Sequence, residues 1–227
     1  DEKDAQFVSH IHLADWTELA VVAPATANII AKMANGIADD FVSTALLATT
    51  APRLIVPAMN QHMLENPATA RNMEALKSYG YEIMEPDTGF LAEGYEGKGR
   101  MPEPEKIVEA AQLVVLNNAK ELPLKGKKVL ITAGGTKERI DPVRFISNDS
   151  SGKMGYSLAK AARDLGAEVT LVTATNLLPI PFGVESIYVQ SSEEMESEVL
   201  DKFHNLDMVI MAAAVSDYRP KTQANVK

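Results

Sequence analysis

Residues 53–63 read RLIVPAMNQHM, an apolar, β-branched run that ends at Pro57 and leads directly into a helical pattern. A strand followed at once by a helix is typical of α/β sheets. Asn60 is therefore predicted to project from the carboxyl end of a strand, where such sheets bind ligands. A neutral amide there can hold a substrate carboxylate, or it can simply cap the following helix. Position alone leaves both interpretations open.

Outward from this stretch, the first half of the chain alternates predicted strands and helices. The strands are predicted at 19–23, 53–57 and 81–84, and the helices at 26–35, 39–49 and 66–79. Gly36 and Gly80 follow two of these helices, where a left-handed cap is favoured. The glycine-rich stretch 87–104 shows no periodicity and leads into a helix predicted at 105–115.

The second half restarts the same layout after a polar, lysine-rich stretch at 117–128. Its strands are predicted at 129–133, 168–173 and 208–213, and its helices at 154–165 and 193–203. The fold class predicted is α/β, with two Rossmann-like or flavodoxin-like three-layer domains whose sheets are mostly parallel. We place these domains at residues 1–121 and 122–227.

Composition excludes several function classes. The 227 residues include 22 basic and 31 acidic ones, and the net charge of −9 disfavours binding to nucleic acids and anionic membranes. The chain has no cysteine, which excludes thiolate metal sites, and its four histidines are too few and scattered to indicate zinc. We find neither a signal peptide pattern nor an apolar stretch of membrane length, and we expect a cytoplasmic location.

Three segments of the first half resemble the homo-oligomeric flavin-containing cysteine decarboxylases, the family that includes phosphopantothenoylcysteine decarboxylase. PAMN at 57–60, followed by Met63, resembles the substrate-recognition motif of that family. SHIHLADW at 9–16 resembles its active-site histidine segment, and APATANIIAKMANGIADD at 23–40 resembles its flavin-contacting strand, loop and helix. The three segments occur in the expected order.

The resemblance implies FMN as cofactor, catalytic roles for His10 and Asn60, and substrate contact by Met63. The implied flavin contacts are Pro24, Thr26, Ala27, Asn28 and Met59. Residues 24–28 lie between a predicted buried strand and a helix, so their N–H groups can meet a polar ring edge or a phosphate. Thr26 can equally cap the helix without any ligand, and a lone histidine is more often a surface residue. These alternatives stay open.

The resemblance also implies a reaction. The cysteine moiety of 4'-phosphopantothenoylcysteine is oxidised to a thioaldehyde, loses carbon dioxide and is reduced to 4'-phosphopantetheine, while a proton donor on a mobile loop quenches the enethiolate. Glu93 stands where the family has the loop cysteine, within LAEGYEGKGRM at 91–101. A carboxylic acid can donate a proton if burial raises its pKa. We expect Glu93 to do so; the alternatives are an oxidised enethiol product or loss of catalysis.

Two glycine-containing turns indicate the chemistry of the second half. VLITAGGT at 129–136 runs from a predicted buried strand into a turn where a ligand can approach the backbone, but it lacks the dinucleotide-binding glycine fingerprint. NDSSGKMG at 148–155 places two serines and a glycine before a helix that starts with Lys153, which is typical of an anion cradle. It is not a P-loop, because the first glycine and the magnesium-binding hydroxyl are missing.

The stretch 131–155 closely resembles phosphopantothenate-cysteine ligase, and AAAVSDYRP at 212–220 resembles the second signature of that family. This ligase is commonly fused behind the decarboxylase in bacteria, so the resemblance covers nearly the whole chain and implies a bifunctional role in coenzyme A biosynthesis. It implies that 4'-phosphopantothenate is joined to cysteine through an acyl-cytidylate made from CTP. Mg²⁺ would offset the charge of the triphosphate.

By this resemblance, Asn148 holds the acyl intermediate, although a turn residue is the alternative. The other implied substrate and nucleotide contacts are Gly134, Gly135, Thr136, Ser150, Ser151, Gly152, Lys153, Ala212, Ala213, Asp217 and Lys227. Lys153 can instead be a solvated helix lysine, and Asp217 can cap a turn.

Assembly and completeness are likewise expectations from resemblance. Decarboxylase halves form trimers and ligase halves form dimers, so we expect a closed homo-oligomer. A phosphate-binding βαβ unit is expected before residue 1 and the rest of a lysine-rich loop after Lys227. We therefore expect a chain truncated at both ends that has no ligase turnover by itself. The alternative from another class is a non-catalytic or partially active flavin-binding regulatory protein of the same fold.

Overall fold

The computed structural model describes residues 9–90, 94–118 and 121–227. The chain divides into two compact units, Asp1–Asn118 and Ala119–Lys227. Each unit has its own parallel sheet and its own apolar core. The boundary predicted between residues 121 and 122 lies in the same polar stretch as this division.

A three-stranded parallel sheet with the order β1-β2-β3 forms the centre of the first unit. Its strands are β1 (Ala20–Ala25), β2 (Arg53–Pro57) and β3 (Glu82–Ile83). An antiparallel hairpin of β4 (Asp87–Phe90) and β5 (Glu96–Arg100) follows the sheet. The helices are α1 (Ser9–Trp16), α2 (Ala27–Asn35), α3 (Phe41–Ala48), α4 (Gln61–Glu65), α5 (Pro67–Ser78) and α6 (Pro104–Asn117).

Local sequence signals set the helix ends, and apolar burial holds the helices on the sheet. Gly36 ends α2 with a left-handed φ of 66°, as predicted. Ile30 of α2, Ile55 of β2 and Leu76 of α5 are fully buried in one core cluster with Ala25. Burial of each large aliphatic side chain stabilises the fold by about 1.5–3 kcal/mol, whereas a typical helix cap contributes about 1 kcal/mol.

The hairpin corrects the prediction for 87–104, which was expected to lack periodicity. β5 does alternate: Gly97 and Gly99 are buried, whereas Glu96, Lys98 and Arg100 are exposed. The inward positions are glycine because the β5 backbone approaches the loop after β2. A Cβ atom on Gly99 would lie 2.0 Å from the carbonyl oxygen of Met59. The period of two is therefore present, but without the large apolar residues that reveal it.

The strand before residues 24–28 was predicted to be buried, and this is wrong for most of its length. Within β1 only Ala25 is fully buried, and Val21, Ala23 and Pro24 are exposed. The physical reason is that β1 lies at one edge of the sheet formed by the described strands.

In the second unit, a four-stranded parallel sheet has the order β10-β9-β6-β11. Its strands are β6 (Lys128–Ala133), β9 (Glu168–Thr173), β10 (Glu185–Tyr188) and β11 (Met208–Met211). An antiparallel hairpin of β7 (Lys137–Arg139) and β8 (Phe145–Ser147) follows β6. The helices are α7 (Lys153–Asp164) and α8 (Ser192–Phe203).

The two faces of this sheet are covered by different helices. Val129 and Ile131 of β6 share a cluster with Ala159 of α7, whereas Leu130 shares one with Met195 of α8. Successive strand residues point to opposite faces, so α7 and α8 pack on opposite sides of a three-layer unit. The predicted α/β class with mostly parallel sheets is confirmed, and β10 and the β7–β8 hairpin were not predicted.

No helix in the ranges 9–90, 94–118 and 121–227 combines the length and the apolar composition needed to cross a membrane.

Candidate functional site

The carboxyl ends of β1 and β2 bring two of the predicted segments together. Ala25 is paired with Pro57 in the parallel ladder, and the N–H of Ala58 donates to the carbonyl oxygen of Ala25 at 3.0 Å. The loop of Met59 and Asn60 therefore lies beside the N-terminus of α2. Ligands of open α/β sheets bind at this edge.

Asn60 is the N-cap of α4, and its side chain uses both ends of the amide. Its Oδ1 accepts from the N–H of His62 at 2.9 Å, which fixes the orientation of the group. Its Nδ2 donates to the hydroxyl oxygen of Tyr95 at 2.6 Å. The structure thus shows the capping role, and the described residues leave the second N–H of Nδ2 for a ligand. Tyr95 was missed by the sequence analysis.

The β4–β5 hairpin holds this loop through its backbone. The N–H of Met59 donates to the carbonyl oxygen of Gly99 at 3.0 Å. The hairpin also carries exposed ion pairs: Lys98 lies 2.5 Å from Glu85 and keeps the pKa of that carboxyl below its ordinary value. Exposed pairs of this kind contribute little to stability. The hairpin is therefore attached to the loop by the backbone contact at Gly99 and by the hydrogen bond between Asn60 and Tyr95.

The start of α2 offers donors to a polar ligand. Thr26 is its N-cap, and the Thr26 hydroxyl accepts from the N–H of Ile29 at 3.5 Å. The first N–H groups of a helix have no partner within the helix, and those of Ala27 and Asn28 belong to this set. The first turn contains no acidic side chain. Pro24, Thr26 and Asn28 are exposed. Met59 is half-buried, and it lies two residues after Pro57, which is paired with Ala25.

The remaining predicted residues of the first unit have separate surroundings. The ring of His10 packs edge-on against that of Phe41, with 6.3 Å between the ring centroids, because α1 packs against α3. Met63 is 49% exposed on α4. Glu93 lies outside the described residues. Asn60 and the start of α2 are thus brought together at the sheet edge, and His10 is held by another helix.

In the second unit the order β10-β9-β6-β11 places a topological switch point between β6 and β11. The residues just after these strands meet there. The N–H of Ala214 donates to the carbonyl oxygen of Gly134 at 2.8 Å, and the N–H of Thr136 donates back to Ala214 at 3.3 Å. The motifs at 129–136 and 212–220, which are distant in the sequence, therefore lie side by side.

Asn148 bridges this crevice. Its Nδ2 donates to the carbonyl oxygens of Val215 at 3.0 Å and Ala214 at 3.4 Å. A Cβ atom on Gly135 would lie 2.6 Å from the carbonyl oxygen of Asn148, so glycine is required for this approach. The donor end of the Asn148 amide is used within the protein.

The anion cradle predicted at the start of α7 is partly satisfied by its own serines. Ser150 Oγ accepts from the N–H of Gly152, and Ser151 Oγ accepts from the N–H of Lys153, both at 3.4 Å. Gly152 is left-handed with φ 75°, and a Cβ atom there would lie 2.7 Å from Thr175 Cγ2. Lys153 is exposed, and the first turn of α7 has no acidic side chain.

Several predicted contacts of the second unit hold the loops. Thr136 is fully buried, and its hydroxyl accepts from the N–H of Ser216 at 2.9 Å. The N–H groups of Ala212 and Ala213 donate to the buried hydroxyl of Thr132 at 3.1 Å each. Asp217 and Lys227 are exposed. The side chain of Thr132, which the sequence analysis missed, fixes the chain just after β11.

Asp141 organises the β7–β8 hairpin that leads to Asn148. Its side chain is fully buried and accepts from the N–H groups of Arg144 at 2.7 Å and Val143 at 2.8 Å. The N–H of Arg144 and then that of Val143 hold the pKa of the Asp141 carboxyl below its usual range. Among the described residues there is no group of three or more histidine, cysteine or acidic side chains able to hold a metal ion.

Comparison with known proteins identifies the family. The model of the Flavoprotein family matches residues 1–116, just over half of the chain. The chain belongs to the Flavoprotein family. A second model, the DNA/pantothenate metabolism flavoprotein C-terminal domain, matches residues 124–227 of this flavoprotein.

The relatives of this flavoprotein are longer than the chain. It is 52% identical, over 97% of its residues, to the coenzyme A biosynthesis bifunctional protein CoaBC of Bacillus subtilis, and the match covers 54% of that protein. It is 48% identical, over all of its residues, to a cysteine/cysteine sulfinic acid decarboxylase from an unknown prokaryotic organism, covering 64% of that protein. The chain therefore spans less than two thirds of these curated relatives.

A solved structure of the C-terminal domain of CoaBC is 50% identical to the part it matches. The match covers 45% of this chain and 53% of that chain, with a TM-score of 0.44.

Proposed function

We propose that the first unit catalyses the FMN-dependent decarboxylation of 4'-phosphopantothenoylcysteine to 4'-phosphopantetheine in coenzyme A biosynthesis. The observation that carries the proposal is the oriented amide of Asn60 at the sheet edge, next to the start of α2. Membership of the Flavoprotein family and the likeness to two curated relatives with coenzyme A or cysteine decarboxylase names support it.

The residues at this edge fit FMN. The N–H groups of Ala27 and Asn28, the exposed Pro24 and the half-buried Met59 present donors and apolar surface on neighbouring segments, and no acidic side chain in the first turn of α2 repels the phosphate or the ring carbonyls. FMN, when bound, supplies the two-electron oxidation that makes the carboxyl group easy to lose.

Asn60 suits a carboxylate that must leave. A cation would stabilise the charged ground state of the carboxylate strongly, and that stabilisation would be lost as neutral carbon dioxide forms. The neutral amide positions the group with one N–H at a smaller cost. We assign to His10 a proton-transfer role, because an imidazole can both accept and donate a proton, and to Glu93 the final proton donation.

The test uses the full-length protein loaded with FMN. Carbon dioxide release measures decarboxylation, and mass spectrometry of the product distinguishes phosphopantetheine from an oxidised enethiol. An enethiol product would refute the role of Glu93. A protein that binds FMN but releases no carbon dioxide would refute the decarboxylase proposal and support the regulatory alternative.

Asn60→Asp separates catalysis from helix capping. Aspartate caps as well as asparagine does, but its charge would oppose the substrate carboxylate by several kcal/mol, so kcat/KM should fall at least about 100-fold. Asn66→Asp is the matched control, because Asn66 caps α5 with the same geometry, at 2.9 Å from the N–H of Ala68. Equal activities of the two variants would refute the role of Asn60.

We propose a second function for residues 124–227, the CTP-dependent ligation of 4'-phosphopantothenate with cysteine. The convergence of Gly134, Asn148 and Val215 at the switch point favours it, as does the match to the pantothenate metabolism domain. The start of α7 would receive a substrate phosphate. In the part of the chain that the structure describes, Asn148 Oδ1 accepts no hydrogen bond and is available to a ligand donor.

Formation of CMP from CTP that depends on both cysteine and 4'-phosphopantothenate tests this proposal. Lys153→Gln should raise KM for 4'-phosphopantothenate about tenfold, the worth of one charge-assisted hydrogen bond. Lys160→Gln is the control, because Lys160 lies on the same helix and is paired with Asp164 at 3.0 Å. No CMP formation by the unsubstituted full-length protein would refute the ligase proposal.

A further inference from the structure

The contact between Asn60 and Tyr95 fixes the direction of one hydrogen bond. An amide nitrogen can only donate, so the Tyr95 oxygen accepts in the 2.6 Å contact with Asn60 Nδ2. The phenolic hydrogen of Tyr95 is then available to another acceptor. Within residues 9–90, 94–118 and 121–227, no group accepts it.

Two neutral donors are therefore adjacent at one place. One is the second N–H of Asn60 Nδ2, and the other is the O–H of Tyr95. Because Asn60 Oδ1 is bound to the N–H of His62, the amide cannot turn its oxygen toward the ligand without losing its cap. A carboxylate has two oxygens that accept hydrogen bonds, and donors on adjacent groups can each meet one of them.

We propose that Tyr95 is a specificity-determining residue, which forms with Asn60 a two-donor clamp for the carboxylate of the substrate. This proposal rests on the decarboxylase function proposed above and names a second group in its carboxylate site. The clamp carries no charge, so it selects for a carboxylate by hydrogen bonding alone and does not trap it as an ion pair.

A purely structural role for the Tyr95 hydroxyl is the competing interpretation. The hairpin is already attached to the loop by the hydrogen bond between Met59 and Gly99. Asn60 is already oriented by His62. Tyr95 is 39% exposed, so its hydroxyl could be solvated even without the Asn60 contact. Neither the hairpin nor the Asn60 amide therefore depends on the Tyr95 O–H, which can be directed at a ligand.

The test is Tyr95→Phe in the full-length, FMN-loaded protein, which removes the hydroxyl and keeps the ring. The FMN is kept reduced, so that the protein cannot oxidise the ligand. Equilibrium binding of 4'-phosphopantothenoylcysteine is then compared with that of 4'-phosphopantetheine, which lacks the carboxylate. The affinity for the carboxylate ligand should fall at least about tenfold, because a hydrogen bond to a charged group is lost. The affinity for 4'-phosphopantetheine should stay the same.

Tyr79→Phe is the control, because the Tyr79 hydroxyl donates to the carbonyl oxygen of Ala34 at 3.4 Å and takes no part in the clamp. Equal losses for both ligands in Tyr95→Phe would show a structural role and overturn the proposal, as would no loss for either ligand. Carbon dioxide release by the unsubstituted protein reports separately on the proposed function, because the clamp is measured by binding and does not depend on turnover.

Discussion

Replacing Gly99 by alanine tests how the hairpin is attached to the loop that carries Asn60. Gly99 has φ 150°, a conformation that side chains with a Cβ atom rarely adopt, and the added atom would lie 2.0 Å from the carbonyl oxygen of Met59. The backbone must shift, because a carbonyl oxygen cannot rotate away as a flexible side chain can. The shift would also break the hydrogen bond between Met59 and Gly99.

The expected loss of stability follows from these two effects. A residue forced into a glycine-only conformation costs about 1–3 kcal/mol, and a lost hydrogen bond costs about 0.5–1.5 kcal/mol. Their sum is about 1.5–4.5 kcal/mol. With a urea dependence of about 2 kcal/mol per molar, the unfolding midpoint of the first unit should fall by about 1–2 M.

Gly89→Ala is the matched control on the partner strand β4. Its Cβ atom would lie 3.3 Å from the Cδ of Arg100, the flexible part of an exposed side chain, so the expected cost is below about 1 kcal/mol. Urea denaturation of both variants, followed by circular dichroism, measures the difference. Hydrogen exchange of residues 57–63 should accelerate in Gly99→Ala only. Equal urea midpoints for the two variants would refute the close approach at Gly99.

Three further changes test the second unit. Ser191→Ala removes a two-way capping box at the start of α8 and should cost about 1 kcal/mol in urea denaturation, whereas Ser192→Ala should cost much less. Thr132→Val leaves two N–H groups without an acceptor and should cost about 1–3 kcal/mol. The control is Thr170→Val, because Thr170 is half-buried and its hydroxyl donates to the exposed Glu185 side chain, and equal effects of the two changes would contradict this expectation. Asp141 has a lowered pKa, so it stabilises the folded unit above its unfolded pKa of about 3.9 and loses this contribution as the pH falls toward its folded pKa. Between about pH 5 and pH 3 the urea midpoint should therefore fall less in Asp141→Asn than in the unsubstituted protein.

The parts of the fold that were predicted correctly have apolar residues at regular spacing. The run 53–57 forms β2, and 168–173 forms β9 with the predicted bounds. The β4–β5 hairpin was missed because its buried positions carry no apolar side chain. In β5 the buried positions are glycines, and no scale of hydrophobicity marks a glycine as buried.

The position of the candidate site could be predicted from the sequence. The hydrogen-bond partners of its residues were harder to predict. Asn60 lies at the end of β2, as predicted, because strand, loop and helix are local in the sequence. Tyr95 lies 35 residues further along, and it reaches Asn60 only because the hairpin folds over the loop. The roles of Thr132 and Thr136 as loop anchors depend in the same way on residues about 80 positions away.

The separate cores of the two units have a consequence for unfolding. The cluster around Ile55 and the cluster around Ile131 share no side chain, because these residues belong to different cores. We therefore expect two calorimetric transitions, and a core substitution in one unit should lower the melting temperature of that unit alone.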